Sequence, residues 1–487
     1  MRSRKVLIPL ISLLSFQGQA ESVWSKLIET DLNHIYFTVK ENHPGYVDSD
    51  NIYFKKWFEQ GYEQALIETK KAQTLNDAMT ILKTYVAGFA DGHFYLNLNY
   101  QPKKIKWAGI KVNKYGKDYR VSYVDSKNHK SMPRVMSKLL SCDNKAVANI
   151  MLEDVLKYRF DDKRVNSPKV RFAPKILIDD GIGNRVQYAS CKFDYQGEVK
   201  DIKLSWENIS HNKYLNKVTF KNTLTAKNFN FEQFDNDKYW VSLPKFYPNK
   251  QEQKVLRDVI KKIKNVRRSA SKFIIDVRGN GGGNSQWGVE IAKAIYGDVF
   301  IETHQLLNPD SSYALWRVSN DNIQHLQSVL PWIEEQFTKE SSMFTDFSKL
   351  LNDMKRAKDQ GKVFVKQGSN SDGVIKDNHN NTEMKTYAKV LFLTDSSCGS
   401  ACLDFADLLL RLPNVSHIGQ ETGADTVYMD IRNVKLPSGL GQYSIAQKVY
   451  RNRPRKHNES YAPKYYFNDD ISNTEKLKTW INKLEIK

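Results

Sequence analysis

One short stretch, from Asp395 to Asp407, constrains the fold of this chain more than any other. The apolar and β-branched residues at 390–394 come directly before it and predict a short buried strand. After Gly399 the apolar residues recur at helical spacing until Pro413 ends the pattern. Ser400 is therefore expected in the turn between the carboxyl end of a strand and the first turn of a helix.

The position of Ser400 has a chemical consequence. Unpaired backbone N–H groups and the positive end of the helix dipole favour an anion at the start of a helix. A serine that must become an alkoxide-like nucleophile gains from such a site. Serine is also favoured simply as an N-cap, so a capping role is the alternative.

A glycine-rich loop follows a second predicted strand. Gly279 and the three glycines at 281–283 lie between an apolar run at 272–277 and a helical pattern at 286–296. The loop lacks the third glycine of a dinucleotide-binding fingerprint, and the lysine-containing phosphate loop is absent. Turns at the carboxyl ends of parallel strands meet at one edge of the sheet. We therefore expect this loop beside Ser400, with backbone N–H groups that stabilise an oxyanion.

The first twenty residues have the pattern of a secretory leader. A basic segment, Met1–Lys5, precedes the apolar run Val6–Phe16, which is too short to span a bilayer, and Gly18–Ala20 fits a cleavage site. We expect an exported protein, periplasmic or secreted, that is cleaved after Ala20. No later segment of the sequence is apolar enough to form an integral membrane segment.

The charge distribution and the cysteines limit which partners and cofactors are expected. The formal charge of +19 is spread along the chain without aromatic interleaving or a nucleic-acid motif, so no nucleic-acid partner is expected. The four cysteines suit an oxidising compartment and allow three pairings. Cys142 and Cys191 are the favoured pair because both lie in a β-rich region, and Cys398 with Cys402 stays open. Their spacing does not suit metal binding, and no cofactor is expected.

Periodicity divides the mature chain into three regions. Residues 21–100 are mainly helical, and residues 101–235 form a β-rich region. Residues 236–487 alternate strands with helices, which predicts parallel βα units. This last region contains a helical insertion at about 311–381, which we interpret as a lid or a partner surface.

Several motifs, in order along the chain, resemble peptidase family S41, the carboxyl-terminal processing and tricorn-type serine proteases. Residues 273–283 are similar to the family's Asp-x-Arg-x-Asn-x-Gly-Gly signature, and 394–407 to its nucleophile segment. The segment Ile418–Gly423 resembles the loop after the nucleophile. Asp91–His93 and Asn458–Pro463 are similar to the subgroup that pairs serine with histidine.

This resemblance implies a crotonase-like or ClpP-like α/β catalytic core in which Ser400 is the nucleophile. The oxyanion hole would be formed by the N–H groups of Ala401 and of Gly281 or Gly282. His93 would act as general base. The activity implied is that of an exported serine endopeptidase with peptide or protein substrates, acting through an acyl-enzyme. A non-catalytic carrier of peptides or hydrophobic ligands on the same scaffold is the alternative.

Two further positions follow from the resemblance. The tricorn-like pattern includes a downstream glutamate, for which Glu459 is the candidate. The branch of the family with a catalytic lysine places it about twenty-five residues beyond the serine, where this chain has Asp425. That departure favours His93 as the base, with His417 as a rival. The middle region resembles a degenerate PDZ-like domain without an evident carboxylate-binding loop, and the oligomeric state is not indicated.

Overall fold

A computed structural model describes residues 22–100, 105–125, 132–159, 162–181, 183, 186–210, 212–213, 228–307, 312–337, 339–367 and 384–485. The leader predicted at 1–20, with its cleavage site, lies outside these residues. Within them, none of the helices combines the length and the apolar character needed to cross a bilayer.

The elements follow one another from a helical start to a mixed remainder. The α-helices are α1 (Val23–Asn42), α2 (Ile52–Thr69), α3 (Leu75–Ala87), α4 (Val147–Asn149), α5 (Ser167–Phe172), α6 (Lys250–Val266), α7 (Gln286–Tyr296), α8 (Asp298–Leu307), α9 (Asn320–Phe337), α10 (Ser342–Asp359), α11 (Ala401–Leu409) and α12 (Thr474–Lys483). The strands are β1 (Leu96–Leu98), β2 (Ile105–Trp107), β3 (Ile110–Tyr115), β4 (Asp118–Val124), β5 (Lys138–Cys142), β6 (Lys145–Ala146), β7 (Ile178–Asp179), β8 (Ser190–Tyr195), β9 (Glu198–Lys203), β10 (Glu207–Ile209), β11 (Asn230–Asp235), β12 (Lys238–Ser242), β13 (Lys272–Asp276), β14 (Tyr313–Arg317), β15 (Phe364–Gln367), β16 (Lys389–Thr394), β17 (Val415–Gly419), β18 (Tyr428–Lys435), β19 (Gly441–Arg451) and β20 (Tyr465–Tyr466).

The central sheet of the carboxyl-terminal region has the order β11-β12-β13-β16-β17-β20. All neighbours from β12 to β20 are parallel, and β11 is antiparallel to β12. Along β13 the side chains alternate: Phe273 and Ile275 pack with α6, α7 and α11, whereas Ile274 packs with α12. Because both faces are covered, the strands read as continuous apolar runs. The α/β architecture predicted from the βα units is confirmed.

A second, antiparallel sheet joins the two ends of the chain. Its order is β1-β19-β14-β15, and β18 pairs with β19. The helices α1 to α3 pack on this sheet, where Ile28, Leu32 and Leu82 share a core with Tyr443 and Ile445. The amino-terminal region is helical, as predicted. Its boundary near residue 100 stays a prediction, and the hydrophobic core extends across it.

The middle region is built on its own sheet, β3-β4-β5-β8-β9, with β6 beside β5 and a small sheet β10-β2-β7 nearby. Cys142 and Cys191 face each other on β5 and β8 and form a disulfide bond, so the favoured pairing is confirmed. Its core includes Ile110, Val121 and Phe193. The β-rich character is thereby confirmed, and the PDZ-like assignment stays a prediction.

The predicted helical insertion is not wholly helical. It contains α9 and α10, but β14 and β15 flank them and extend the sheet through β19. Ala314 and Trp316 are buried on alternate positions of β14, a period of two over only five residues. The strong helical pattern of the following residues conceals so short a signal. Residues 368–381 of the predicted insertion lie outside the described residues.

Candidate active site

Three loops meet at the carboxyl edge of the central sheet. They follow β13, β16 and β17, which are neighbours in the sheet, and they contain Gly279–Gly283, Ser400 and Asp425. The sheet order therefore brings together segments that are far apart in sequence, at the edge where open α/β sheets bind ligands.

Ser400 adopts a backbone conformation that is rare for a residue with a side chain. Its φ is 52° and its ψ is −126°, and its side chain makes no capping hydrogen bond to α11. Such a conformation costs on the order of 1–3 kcal/mol and persists only where surrounding contacts hold it. Here the Ser400 N–H donates to Asp425 Oδ2 at 2.9 Å, and the Gly399 N–H donates to the carbonyl of Asn280 at 3.3 Å. The N-cap alternative is not supported, because the hydroxyl is left available.

A second restraint surrounds the same turn. Cys398 and Cys402 form a disulfide bond that closes a loop around Ser400. This pairing, left open by the sequence, ties the last residues of the turn to the first turn of α11. Both cysteines are fully buried.

The glycine loop packs directly against the serine. A Cβ atom on Gly282 would lie 2.6 Å from Ser400 Cβ and 2.9 Å from the Ala401 nitrogen, and its φ is 101°. Only glycine fits there. The Gly282 N–H donates to Asn280 Oδ1 at 2.9 Å. In the described part of the chain, by contrast, the N–H groups of Gly281 and Ala401 have no acceptor. Of the two glycines predicted for an oxyanion hole, Gly281 is therefore the one with an available donor.

This packing gives a test. The Gly282→Ala substitution should lower kcat for peptide hydrolysis by about 10²-fold or more. The new methyl group should displace the Ser400 turn relative to the Gly281 N–H, the available oxyanion donor of the glycine loop. The Gly281→Ala protein is the matched comparison, since its added methyl group meets no atom within 4 Å and its N–H is retained. Steady-state kinetics of both, with thermal unfolding as a check of folding, measure the difference. Equal losses for the two variants would contradict this account of the loop.

His93 comes from the loop between α3 and β1 and reaches the same edge. Its Nδ1 lies 2.7 Å from the carbonyl oxygen of Tyr428. A carbonyl only accepts hydrogen bonds, so Nδ1 carries the proton in the neutral ring and Nε2 has a free lone pair. This is the tautomer that a general base requires.

A buried chain of hydrogen bonds holds the His93 backbone. The His93 N–H donates to Asp91 Oδ1 at 2.9 Å, and His43 Nε2 donates to Asp91 Oδ2 at 3.1 Å. The Gly45 N–H donates in turn to His43 Nδ1 at 2.9 Å. The ring of His43 is fully buried against Phe54, so His43 orients the Asp91 loop.

Asp425 connects the two predicted catalytic residues. Its Oδ1 lies 3.6 Å from His93 Nδ1, while its Oδ2 accepts the Ser400 N–H. From the sequence, Asp425 is evident only as the residue that stands in place of a lysine, without a role of its own. The feature that could have identified Asp425 is its position in the loop after β17, the strand next to β16.

The surroundings of His93 change its proton affinity. Burial lowers the pKa of the ring, but the Asp425 and Asp91 carboxylates and the Tyr428 carbonyl favour the protonated form more strongly. The net result is a pKa above the ordinary value of 6.5. The site therefore stabilises the imidazolium that a general base becomes.

Comparison with known protein families identifies the class of enzyme. Residues 239–465 match the family model for peptidase family S41. The chain therefore contains an S41 peptidase domain. As an S41 peptidase it is a serine-type hydrolase, and the matched range contains the glycine loop, Ser400 and Asp425 but not His93.

Solved structures show the same fold. The crystal structure of mature CPAF matches with a TM-score of 0.63 at 12% identity, over 94% of this chain and 96% of that chain. Mature CPAF complexed with lactacystin matches with a TM-score of 0.63 at 11% identity, over 95% and 98%. Among curated proteins, no sequence relative is found. The likeness in fold therefore extends over nearly the whole chain, including the helical amino-terminal region.

Glu459 and His417, two further candidates from the sequence, do not share the surroundings of Ser400 and His93 in this S41 peptidase. Glu459 is exposed, and its carboxylate accepts the Lys456 N–H at 2.7 Å, although its backbone pairs with Asp425. The carboxylate beside His93 thus belongs to Asp425 and not to Glu459. The rival base His417 is buried, its Nε2 lies 2.7 Å from Thr394 Oγ1, and the ring has a further hydrogen bond to the backbone of Ala462. Burial lowers the pKa of His417 to about 4.

Across the residues the structure describes, no cluster of three or more His, Cys, Asp or Glu side chains could hold a metal ion. The polar groups at the sheet edge are a hydroxyl, an imidazole, a carboxylate and backbone amides, which are the components of acyl transfer.

Proposed function

We propose that this S41 peptidase is an endopeptidase that cleaves peptide bonds through an acyl-enzyme on Ser400, with His93 as general base. The observation that carries the proposal is the Asp425 carboxylate, which contacts the His93 ring with one oxygen and the Ser400 backbone with the other. A single rigid group thereby positions both residues at the carboxyl edge of the sheet.

In the acylation step, His93 Nε2 accepts the Ser400 hydroxyl proton as Oγ attacks the substrate carbonyl carbon. The carbonyl oxygen becomes an oxyanion, and the free N–H groups of Gly281 and Ala401 are its donors. Collapse of the tetrahedral intermediate breaks the C–N bond, and His93 gives its proton to the leaving amine.

In the deacylation step, water takes the place of the amine. His93 accepts a proton from the water, hydroxide attacks the ester carbonyl, and the proton returns to Ser400 Oγ as the carboxylic acid product leaves. The strained backbone of Ser400 holds its hydroxyl at the sheet edge throughout both steps.

The role of Asp425 differs from that of a carboxylate that selects the tautomer. The carbonyl of Tyr428 already accepts the Nδ1 proton, so Asp425 contributes negative charge and holds the Ser400 turn. We therefore expect the Asp425→Asn protein to lose activity by well below the roughly 10⁴-fold seen where a carboxylate sets the tautomer.

The same substitution has a predicted pH signature. The base works when neutral, so kcat/KM rises with pH through the His93 pKa, which lies above 6.5 in the native enzyme. Asp425→Asn removes a charge that raises this pKa, so the rising limb should move to lower pH. Profiles of kcat/KM from about pH 5 to pH 9 cover the range in which histidine titrates. A limb that stays in place, or moves to higher pH, would show that Asp425 does not act on the base.

The nucleophile assignment is tested by covalent labelling. A fluorophosphonate probe should form a stoichiometric adduct that peptide mapping places on Ser400, and the purified enzyme should cleave casein. Ser397, in the same turn, is the internal control for nonspecific reaction. An adduct elsewhere, or hydrolysis without any adduct, would remove the proposal.

We also propose that the protein is exported and loses its first twenty residues. The support is the sequence pattern at 1–20 and the two disulfide bonds, which form readily in oxidising compartments. Amino-terminal sequencing of protein from the cell envelope or the medium should begin at Glu21. Full-length protein recovered only from the cytoplasm would contradict export.

The carrier alternative has less support. A binding protein has no use for a strained serine with a free hydroxyl beside unpaired amide donors, and maintaining that conformation costs stability. If the purified protein bound such a ligand and no peptide hydrolysis could be measured, the carrier would be favoured instead.

A further inference from the structure

The disulfide bond between Cys398 and Cys402 encloses two of the groups to which the proposed mechanism gives a role. Its loop contains Gly399, Ser400 and Ala401, so the proposed nucleophile and one oxyanion donor both lie between the two cysteines. Both cysteines are fully buried and belong to the hydrophobic core shared by α6, α7 and α11. The bond therefore anchors both ends of the nucleophile turn in this core.

The bond also limits the backbone conformations that are open to Ser400. The Cα atoms of Cys398 and Cys402 lie 5.3 Å apart. A fully extended segment of this length would separate them by about 13 Å, whereas a disulfide bond tolerates at most about 7 Å. A more extended turn, which would relieve the strained φ of 52° at Ser400, is thereby excluded.

The other restraints on this turn are hydrogen bonds and packing. The Ser400 N–H donates to Asp425 Oδ2, but the same carboxylate also contacts the His93 ring. The Gly399 N–H donates to the carbonyl of Asn280 at 3.3 Å, which is long for such a bond. A strained conformation persists only where its surroundings over-determine it. We therefore expect the covalent bond to have a large effect on how much of the protein holds Ser400 in its active conformation.

The second disulfide bond provides a comparison within the same chain. Cys142 and Cys191 join β5 and β8 in the core of the middle region, and they are 49 residues apart in sequence. Cys398 and Cys402 are only 4 residues apart. Because the stabilisation of a fold by a disulfide grows with the length of the loop that it closes, the first pair should contribute more to global stability.

We propose that the Cys398–Cys402 bond is a positioning element of the active site and makes the peptidase activity depend on the oxidation state of this pair. With the bond closed, Ser400 keeps its strained conformation beside the glycine loop. With the pair reduced, the turn relaxes, and the Ser400 hydroxyl and the Ala401 N–H lose their alignment. This inference rests on the proposed peptidase function and adds its regulation.

Closing the bond is a two-electron oxidation. The thiols of Cys398 and Cys402 lose two protons and two electrons as one S–S bond forms. The electrons pass to the disulfide of a thiol–disulfide exchange partner, which becomes a dithiol. Reducing compartments keep the pair as thiols, whereas oxidising compartments allow the bond to persist, so full activity is confined to the latter.

The two disulfide bonds allow a paired test. Cys398→Ala/Cys402→Ala should lower both kcat for a fluorogenic peptide and the rate of fluorophosphonate labelling by about 10-fold to 100-fold, the shift expected when a strained catalytic geometry loses its support. KM should stay close to that of wild type, because the bond fixes the reacting groups and adds no binding surface. The matched control, Cys142→Ala/Cys191→Ala, should keep kcat and lose more thermal stability. Wild-type kcat in Cys398→Ala/Cys402→Ala, or equal losses of kcat in the two proteins, would overturn the proposal.

Reduction of the wild-type protein gives a measurement that does not depend on the folding of a variant. Dithiothreitol, in urea below the unfolding transition, opens a buried bond to two thiols and becomes a cyclic disulfide itself. Alkylation and mass spectrometry then report which pair has been reduced. Activity should fall with the reduced fraction of Cys398 and Cys402 and return on oxidation with glutathione disulfide. Activity that persists with this pair reduced, or that follows only Cys142 and Cys191, would contradict the proposal.

Fluorophosphonate labelling distinguishes failure of this inference from failure of the proposed function. Equal labelling rates in oxidised and reduced protein would refute only the dependence on the disulfide bond. Absence of labelling in the oxidised wild type would refute the serine peptidase mechanism itself.

Discussion

Replacing Ser400 with alanine should reduce kcat for peptide hydrolysis by about 10⁵-fold to 10⁶-fold, the scale seen when a serine nucleophile is removed. The loss is large because the hydroxyl forms the covalent bond and cannot be replaced by neighbouring groups. The fold should not suffer, since the Ser400 side chain makes no capping hydrogen bond, and the backbone contact with Asp425 uses the N–H. The Ser400→Ala substitution should therefore lower kcat without lowering the stability of the fold.

The measurement is steady-state turnover of a fluorogenic peptide, with thermal unfolding compared in parallel. Ser397→Ala is the matched control, because Ser397 lies in the same turn and only its backbone N–H has a role, in a bond to Asp395. Ser397→Ala should retain activity while Ser400→Ala loses it. Residual hydrolysis by Ser400→Ala within tenfold of wild type would mean that another nucleophile operates.

The proposed nucleophile could be found from sequence because its signal is local. A strand, a small-residue turn and a helix follow one another within about twenty residues, and the glycine loop has the same form. Each pattern depends on neighbours along the chain, through periodicity and turn chemistry. The parallel βα units follow from the same information, and so does the edge of the sheet on which both loops lie.

The rest of the site depends on contacts that no local pattern records. Asp425 gains its role only because β17 lies beside β16, which places one carboxylate between the His93 ring and the Ser400 backbone. Glu459 pairs with Asp425 through the backbone, so its segment reaches the site although its side chain turns to solvent. A sequence motif can thus identify a segment that reaches the site, while the carboxylate that lies beside His93 belongs to another residue, Asp425.

The predicted insertion shows a similar limit. Its helices were evident from apolar spacing, whereas β14 and β15 were hidden because each is stabilised by pairing with a distant partner. That pairing places α9 and α10 near the glycine loop. Their position therefore depends on tertiary structure more than on any local pattern.

The second large effect is expected from His93→Ala, which should lower kcat/KM by about 10⁴-fold or more, as expected for loss of a base that acts with its nucleophile as a unit. Without an acceptor for its proton, the Ser400 hydroxyl should also react slowly with the fluorophosphonate probe. The protein should fold, because the hydrogen bonds of the His93 backbone to Asp91 and Ser444 do not involve the ring.

His417→Asn is the informative companion variant, because asparagine retains a hydrogen-bonding group near the Thr394 hydroxyl and cannot act as a base. It should keep most of the activity, with at most a modest loss of stability. If His417→Asn were inactive and His93→Ala active, the base would be His417 on β17 and not His93 at the edge of the sheet. Burial, which lowers the pKa of His417 to about 4, makes that ring a weak proton acceptor near neutral pH, whereas Asp425 raises the pKa of His93. The opposite environments of the two histidines therefore predict opposite outcomes for the two substitutions.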